Sequence, residues 1–400
     1  MNSHLEKLHP YPFERIRALL AGSNAPQGLQ PISFAMGEPR HPPPGFVLDT
    51  LRQNLDGISS YPATKGLDGL RESICDWLAR RFQLALSNLD SNRHVLPVNG
   101  TREALFAFAQ LIVDSTAPHK TLVTFPNPFY QIYEGATLLA GAQPSLLNCT
   151  RDNGFVPDFD QVPATTWQQC QLLYICSPGN PTGSVLPMAT LKKLIQLADE
   201  YDFVIASDEC YSELYPDENN PPPGLLQACA ELGRHDYDRC VVFHSLSKRS
   251  NLPGLRSGFV AGDAAILEKF LLFRTYHGCA MSVPVQLASI AAWNDEQHVL
   301  ENREQYRQKF AAVMDILSPV LDVQLPDASF YLWPQTPIDD QLFTQKLFSE
   351  ANIHVVPGTF LARDTASGNP GRNRVRMALV AELDECIAGA RRIRTVIENL

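Results

Sequence analysis

The stretch Phe243-His-Ser-Leu-Ser-Lys-Arg-Ser-Asn-Leu-Pro-Gly-Leu-Arg-Ser-Gly258 decides how this chain is read. It follows the apolar run Cys240 to Phe243, which has the character of a buried strand nearing its end. A single lysine, Lys248, stands in it, with Ser245 and Ser247 just before and Arg256 beyond. Hydroxyls and a guanidinium suit a phosphate dianion. An amine in a partly desolvated site is a usable carbonyl nucleophile. Together they fit a phosphate-bearing cofactor held covalently by the lysine. Read alone, the segment is equally an ordinary surface lysine in a turn, because Ser-x-Ser-Lys is common.

Working outward, the chain alternates strand and helix. Gln171 to Cys176 reads as a buried strand running into Ser177-Pro-Gly-Asn-Pro-Thr-Gly183. Leu186 to Tyr201 reads as a helix, and Phe203 to Ser207 as a strand ending at Asp208-Glu-Cys-Tyr211. Strand, crossover helix and strand again imply a parallel sheet with right-handed connections. In open parallel sheets ligands lie beyond the carboxyl ends of the strands. Asn180, Asp208 and Lys248 are all expected just past such ends. Upstream, Val95 to Val98 reads as extended and is followed by Gly100-Thr101 and a helix from Arg102. Those residues provide an anion site at a helix N-terminus, or else simple N-capping by Thr101. Residues 121–125 and 142–148 read as strands, with the tight Pro126-Asn-Pro-Phe-Tyr130 after the first of them.

The ends of the chain read differently. Phe13 to Leu20 is a short helix, and Ile32 to Gly37 a strand leading to the Pro-rich strap His41-Pro-Pro-Pro-Gly45. Phe46 to Leu55 and Leu67 to Phe82 read as helices, with Tyr61 in the loop between. After residue 285 come a helix, Asp295 to Leu317, and strands at 320–325, 329–333, 353–356 and 373–379. Glu382 to Leu400 closes as an amphipathic helix. The expected architecture is α/β: residues 1–45 form an arm and part of a small domain, 46–285 a large domain, and 286–400 the rest of the small one.

Composition narrows the function. The 400 residues are 44 % hydrophobic and 19 % charged, as in a soluble globular protein, and too long for one ordinary core. The formal charge of −10 and the lack of a dense Lys/Arg run disfavour nucleic acid as a partner. Nine scattered cysteines with no CxxC pair make a disulfide framework or a metal site improbable. The N-terminus has no apolar signal core and no apolar run reaches membrane-spanning length, so a cytoplasmic, reduced setting is expected.

Ser-Pro-Gly-Asn-Pro-Thr-Gly, Ser-Asp-Glu-x-Tyr and Ser-Leu-Ser-Lys with the later arginine, in that order, resemble the fold-type I, aspartate aminotransferase-like pyridoxal-phosphate enzymes. The resemblance covers nearly the whole chain. It implies a mostly parallel sheet flanked by helices, with a smaller α/β domain. Lys248 then matches the lysine that holds the cofactor, and Asp208 the partner of the ring nitrogen. Asn180 and Tyr211 match the residues touching the ring oxygen. Gly100, Thr101, Ser245 and Arg256 match the phosphate cup, and Tyr130 the aromatic stacked on the ring; Arg102 is a further cofactor-binding candidate, and Ser247 is either another phosphate contact or a turn hydroxyl. Tyr61 matches a tyrosine that reaches the phosphate from a neighbouring subunit, implying a homodimer. Arg376, in Asn-Arg-Val-Arg-Met-Ala, matches the clamp on the substrate carboxylate, with the Gly37 N–H as a second contact and Arg374 as a lesser alternative. A finer resemblance, to N-succinyldiaminopimelate aminotransferases, rests on the opening stretch, on Tyr-His-Gly-Cys-Ala-Met281 and on Pro-Gly-Thr-Phe-Leu-Ala-Arg363. The extra carboxylates of such a substrate call for more cations, and Arg249, Arg363 and Arg40 are the candidates, each of them otherwise a solvated surface arginine. Rival readings are another transaminase or a β-lyase on the same scaffold, and a cofactor-sensing regulator. The last needs a DNA-binding module, for which the segment before Ile32 is expected to be too short.

Overall fold

The computed structural model describes residues 1–400. Its twelve strands are β1 (Ile32–Ser33), β2 (Val95–Val98), β3 (Leu122–Asn127), β4 (Gln143–Asn148), β5 (Cys170–Cys176), β6 (Val204–Asp208), β7 (Cys240–Ser245), β8 (Gly258–Gly262), β9 (Tyr331–Leu332), β10 (Ile353–His354), β11 (Val356–Pro357) and β12 (Val375–Ala378). Seven of them form one sheet in the order β2-β8-β7-β6-β5-β3-β4. From β7 to β4 every pairing is parallel, while β8 runs antiparallel to both β7 and β2. The register sets Cys176 opposite Asp208 and Asp208 opposite Phe243. The carboxyl ends of β5, β6 and β7 are thereby level, so Asn180 in the loop after β5, Asp208 at the end of β6 and Lys248 in the turn after β7 gather at one edge.

Both faces of this sheet are buried, so its strands are apolar at successive positions instead of alternating. Leu173, Ile175, Ile205 and Val242 point into one core with Trp77 and Trp293. Leu172, Tyr174, Ala206, Val241 and Phe243 point into the other with Phe108. Helix Thr101–Ile112 covers that second face with Ala104, Leu105, Ala107 and Phe108. The Phe108 ring meets Phe243 edge-on, centroids 5.3 Å apart, a favoured aromatic geometry.

A separate core lies beside the sheet. The antiparallel sheet β11-β12-β9 and the parallel pair β1-β10 pack with helices Gln297–Leu317, Asp340–Ala351 and Leu383–Glu398. This core draws on Ile32 and Phe34, on residues from Tyr306 onward, and on Tyr211 and Leu214 from the loop after β6. We propose that it marks the smaller domain. Ala288, Ala292 and Trp293 pack in the large core, so the boundary we propose falls after Trp293 and not at 285.

Three local expectations need correction. Residues 320–325 are not a strand: only Asp322 bridges, to Gln335, because the segment passes over the surface. The strand from Ile32 pairs for two residues before its chain turns toward the strap. Gly258–Gly262, which the sequence reading left unassigned, is the antiparallel strand β8, and helix Ala264–His277 follows it. No helix is long and apolar enough to cross a membrane.

Candidate active site

A cavity of about 500 Å³ opens at the carboxyl edge of the sheet, against the separate core that holds Tyr211 and Tyr331. Gly37, Thr101, Arg102, Tyr130, Asn180, Asp208, Tyr211, Ser245, Ser247, Lys248, Arg256 and Arg376, all singled out from sequence, line it. Lys248 lies in the single helical turn Leu246–Arg249 that leaves β7. Its Nζ donates to the Gly37 carbonyl at 2.6 Å and sits 5.4 Å from the Phe330 ring centroid. Burial pushes this amine down to about 8, and the nearby positive charge of Arg376 acts in the same direction against an opposing effect of Cys210. An amine so placed is still mostly protonated at neutral pH, but its neutral fraction is far larger than that of an ordinary lysine, as a nucleophile or base requires.

Asp208 closes β6 at the cavity floor, buried. Its Oδ2 accepts from the Tyr133 hydroxyl at 2.7 Å and its Oδ1 from the Cys210 N–H at 3.3 Å. Burial raises its pKa despite those two hydrogen bonds, so a cationic partner in the cavity would be welcome. Tyr211 shares a 2.8 Å hydrogen bond with Tyr331, and burial holds its hydroxyl well above the usual phenol range. Arg376, on β12, donates from Nη1 to Asn180 Oδ1 at 3.1 Å and from Nη2 to the Ala35 carbonyl at 2.7 Å. Its guanidinium carbon lies 4.6 Å from the Tyr331 ring centroid, and its buried Nε has no partner. A Cβ on Gly37 would stand 2.1 Å from the Tyr331 hydroxyl, so only glycine lets this backbone run beside the lysine.

The other end of the cavity is a cradle of donors. Gly100 has φ +82, and a Cβ there would meet the Arg256 guanidinium at 2.2 Å. It is the N-cap of helix Thr101–Ile112, and no side chain caps that first turn. Thr101 is therefore not the cap, and its hydroxyl instead meets Cys210 Sγ at 3.0 Å. The Ser245 hydroxyl bonds that of Ser247 at 2.9 Å. Arg102 donates to the Tyr130 hydroxyl at 2.6 Å, and the Tyr130 ring stands edge-on to Tyr133. Neither Arg102, Arg256 nor Arg376 pairs with a carboxylate. Three free guanidiniums around one amine make a site for anions.

The sequence profile of aminotransferase class I and II matches residues 30–388. The chain belongs to that family. It is 31 % identical to an LL-diaminopimelate aminotransferase of Desulforudis audaxviator, covering 98 % of this chain and 96 % of the relative. A crystal structure of an aminotransferase from Neisseria meningitidis superposes with a TM-score of 0.94 at 50 % identity, over 99 % of both chains. Aminotransferase AspB from Helicobacter pylori does so with 0.89 at 34 %, over 98 % of this chain and 100 % of that one. A probable N-succinyldiaminopimelate aminotransferase from Thermus thermophilus shares the fold, with a TM-score of 0.84 at 24 % identity over 96 % and 100 % of the two chains.

This aminotransferase depends on pyridoxal phosphate, and its residues fit that group. The cradle excludes a side chain at Gly100 and aims Arg256 into the gap, the buried Asp208 lacks a cation, and Arg376 Nε lacks an acceptor. Other expected residues lie elsewhere. Arg249 is fully buried behind the lysine, bonded to the Ala292 carbonyl and Glu296. Arg363 pairs through two nitrogens with the two oxygens of Glu134. Arg40 meets Glu385 on the surface. None of the three lines the cavity, so they are withdrawn as carboxylate contacts. Arg374 packs over Phe155 and bonds the Trp333 carbonyl, which removes it as an alternative clamp. Tyr61 stands fully exposed, away from the cavity of its own chain. Sequence reasoning missed Tyr11, Tyr133 and Tyr331. Only Tyr133 carried a signal, at helical spacing from Tyr130.

Proposed function

We propose that this aminotransferase moves the amino group of N-succinyl-LL-diaminopimelate to 2-oxoglutarate, giving the corresponding keto acid and glutamate. The observation that carries the reading is Lys248, a partly neutral amine among guanidiniums without carboxylate partners. With Arg256 taken by the phosphate and Arg376 by the α-carboxylate, Arg102 is the lining cation left for a further carboxylate of the donor. The diaminopimelate branch is supported by the relatives named above, and the succinylated donor by the sequence motifs. Free LL-diaminopimelate is the second reading, favoured by the likeness to the LL-diaminopimelate aminotransferase of Desulforudis audaxviator.

In the proposed mechanism Arg376 holds the α-carboxylate by its fork, helped by the Gly37 N–H. Asn180 and Tyr211 orient the ring oxygen of the cofactor, and the cradle with Arg256 anchors its phosphate. Bound pyridoxal phosphate supplies an electrophilic carbon and an electron sink. Asp208 keeps the ring nitrogen protonated. With the group bound, the neutral amine of Lys248 would act as the base that takes the proton from the donor's α-carbon, and its conjugate acid would give that proton back within the same site. Two half-reactions on one site predict ping-pong kinetics.

The test is glutamate formation from 2-oxoglutarate across a panel of amino donors, including the succinylated and the free diaminopimelate. The succinylated donor is expected to give the highest kcat/KM. A flat response to it sinks the substrate assignment, and a preference for the free diacid selects the second reading. Pyruvate and ammonia without an acceptor would mark a lyase.

A further inference from the structure

Behind Lys248 lies a buried polar chain that the mechanism above does not use. Lys309, on helix Gln297–Leu317, is 2 % exposed and has no carboxylate partner. Its Nζ meets His41 Nε2 and lies 3.5 Å from the Val380 carbonyl. His41 comes from the Pro-rich strap and is also buried, its ring 4.7 Å from that of Tyr306. His41 Nδ1 lies 2.7 Å from Asn302 Oδ1, which also accepts from Asn251 Nδ2 at 3.0 Å. Asn302 Nδ2 then reaches the main-chain carbonyls of Lys248 at 3.3 Å and Arg249 at 3.4 Å.

Donor and acceptor roles along this chain admit one direction. An ammonium only donates, so His41 Nε2 accepts. A neutral imidazole then carries its proton on Nδ1 and donates to Asn302 Oδ1. With Oδ1 occupied, the Asn302 amide nitrogen faces the two carbonyls. Those carbonyls end the one-turn helix Leu246–Arg249, where intrahelical partners have run out. Burial lowers both Lys309 and His41, and Lys309 lowers His41 further. The imidazole is thus the neutral member of the pair and the ammonium its donor. The groups facing Lys309 from neighbouring elements are Cys386, Glu382, Arg40 and Glu385.

We propose that Lys309, His41 and Asn302 form a positioning relay for transamination, which fixes the main chain of Lys248 from the strap and the separate core. Lys309 sets the imidazole tautomer, the tautomer sets the Asn302 amide, and the amide caps the turn that presents the working amine. A small misplacement of that amine is enough to slow the proton transfers.

The experiment compares His41→Gln with His41→Leu in the cofactor-loaded enzyme. Glutamine keeps a donor for Asn302 and an acceptor for Lys309, whereas leucine keeps neither. His41→Leu is expected to lower kcat on the order of tenfold, since a displacement of about 1 Å can cost more than that, with KM unchanged. His41→Gln is expected to recover most of the rate. Equal kcat in the two variants, or a loss that appears in KM or Tm alone, overturns the relay. A second readout needs neither cofactor nor turnover: nitrogen-15 NMR of histidine-labelled protein. The His41 signal is expected as the Nδ1–H tautomer in the wild type, and shifted toward Nε2–H in Lys309→Met. An unchanged tautomer overturns the role of Lys309. The inference rests on Lys248 being the working amine, but the tautomer measurement does not, so the two failures are distinguishable.

Discussion

Lys248 and Asp208 are driven by the same cause in opposite directions. Burial disfavours the charged form of each, lowering the amine and raising the acid. The consequence for the cofactor-free protein has a definite sign. The folded pKa of Lys248 is about 8 against an ordinary 10.5, so the unfolded chain binds more protons between those values and stability rises with pH there. Below about 8 both states are protonated and the cost of the buried charge is fully present. Cofactor-free Lys248→Met is therefore expected to exceed the wild type in stability most at neutral pH, with the gap shrinking as pH rises through that window. Urea unfolding at several pH values measures it, and a gap independent of pH would refute the lowered amine. These residues were legible in sequence because each stands just past a strand end beside a recognisable turn. Tyr331 and Tyr133 were not, because a tyrosine in an apolar run looks the same whether it fills a core or, as here, bonds Tyr211 or Asp208.

Among the elements, the loop after β6 ties the two cores together through Glu213, which is buried. It accepts from Arg81 Nε of helix Asp68–Phe82 at 2.6 Å and faces Arg303 of helix Gln297–Leu317 at 3.6 Å. Burial works to raise its pKa, but Arg81, Arg249 and Arg303 prevail and hold the carboxyl below the usual range. A depressed acid contributes stability above its unfolded value and loses it as pH falls through the folded one. Glu213→Gln leaves the buried Arg81 guanidinium without a carboxylate partner, while Arg303 keeps Glu218, and is expected to cost about 3 kcal/mol at neutral pH. The cost should diminish in acid. A urea midpoint lowered with unchanged slope would show it, and an unmoved midpoint would dismiss the clasp. Nothing in the sequence pointed to Glu213, since its partners are remote in the chain. The parallel strands were legible as unbroken apolar runs between helices. β8 was not: a short Gly258-Phe-Val-Ala-Gly262 run between glycines carries no periodicity, and its antiparallel direction depends on a turn made by Pro253 and Arg256.

For the whole molecule, the exposed apolar surface points to a second copy of the chain. Leu55, Ile58 and Tyr61 lie exposed on one segment, as do Leu272 and Tyr276 on helix Ala264–His277. Patches of this kind mark association surfaces, and we propose a homodimer in which Tyr61 serves the partner's phosphate cradle. A hydrogen bond to a charged group contributes about 1.5–3 kcal/mol, so Tyr61→Ala is expected to weaken cofactor affinity roughly tenfold or more. Lys248→Ala is expected to abolish turnover. Neither variant alone works at limiting cofactor. In a hybrid dimer, however, the Tyr61→Ala chain keeps its own lysine and receives the tyrosine of its Lys248→Ala partner, completing one of the two sites. Two differently tagged variants, refolded together and purified through both tags, should therefore regain turnover at cofactor concentrations where each homodimer is silent. If doubly tagged dimers form and stay silent, Tyr61 does not act across the interface.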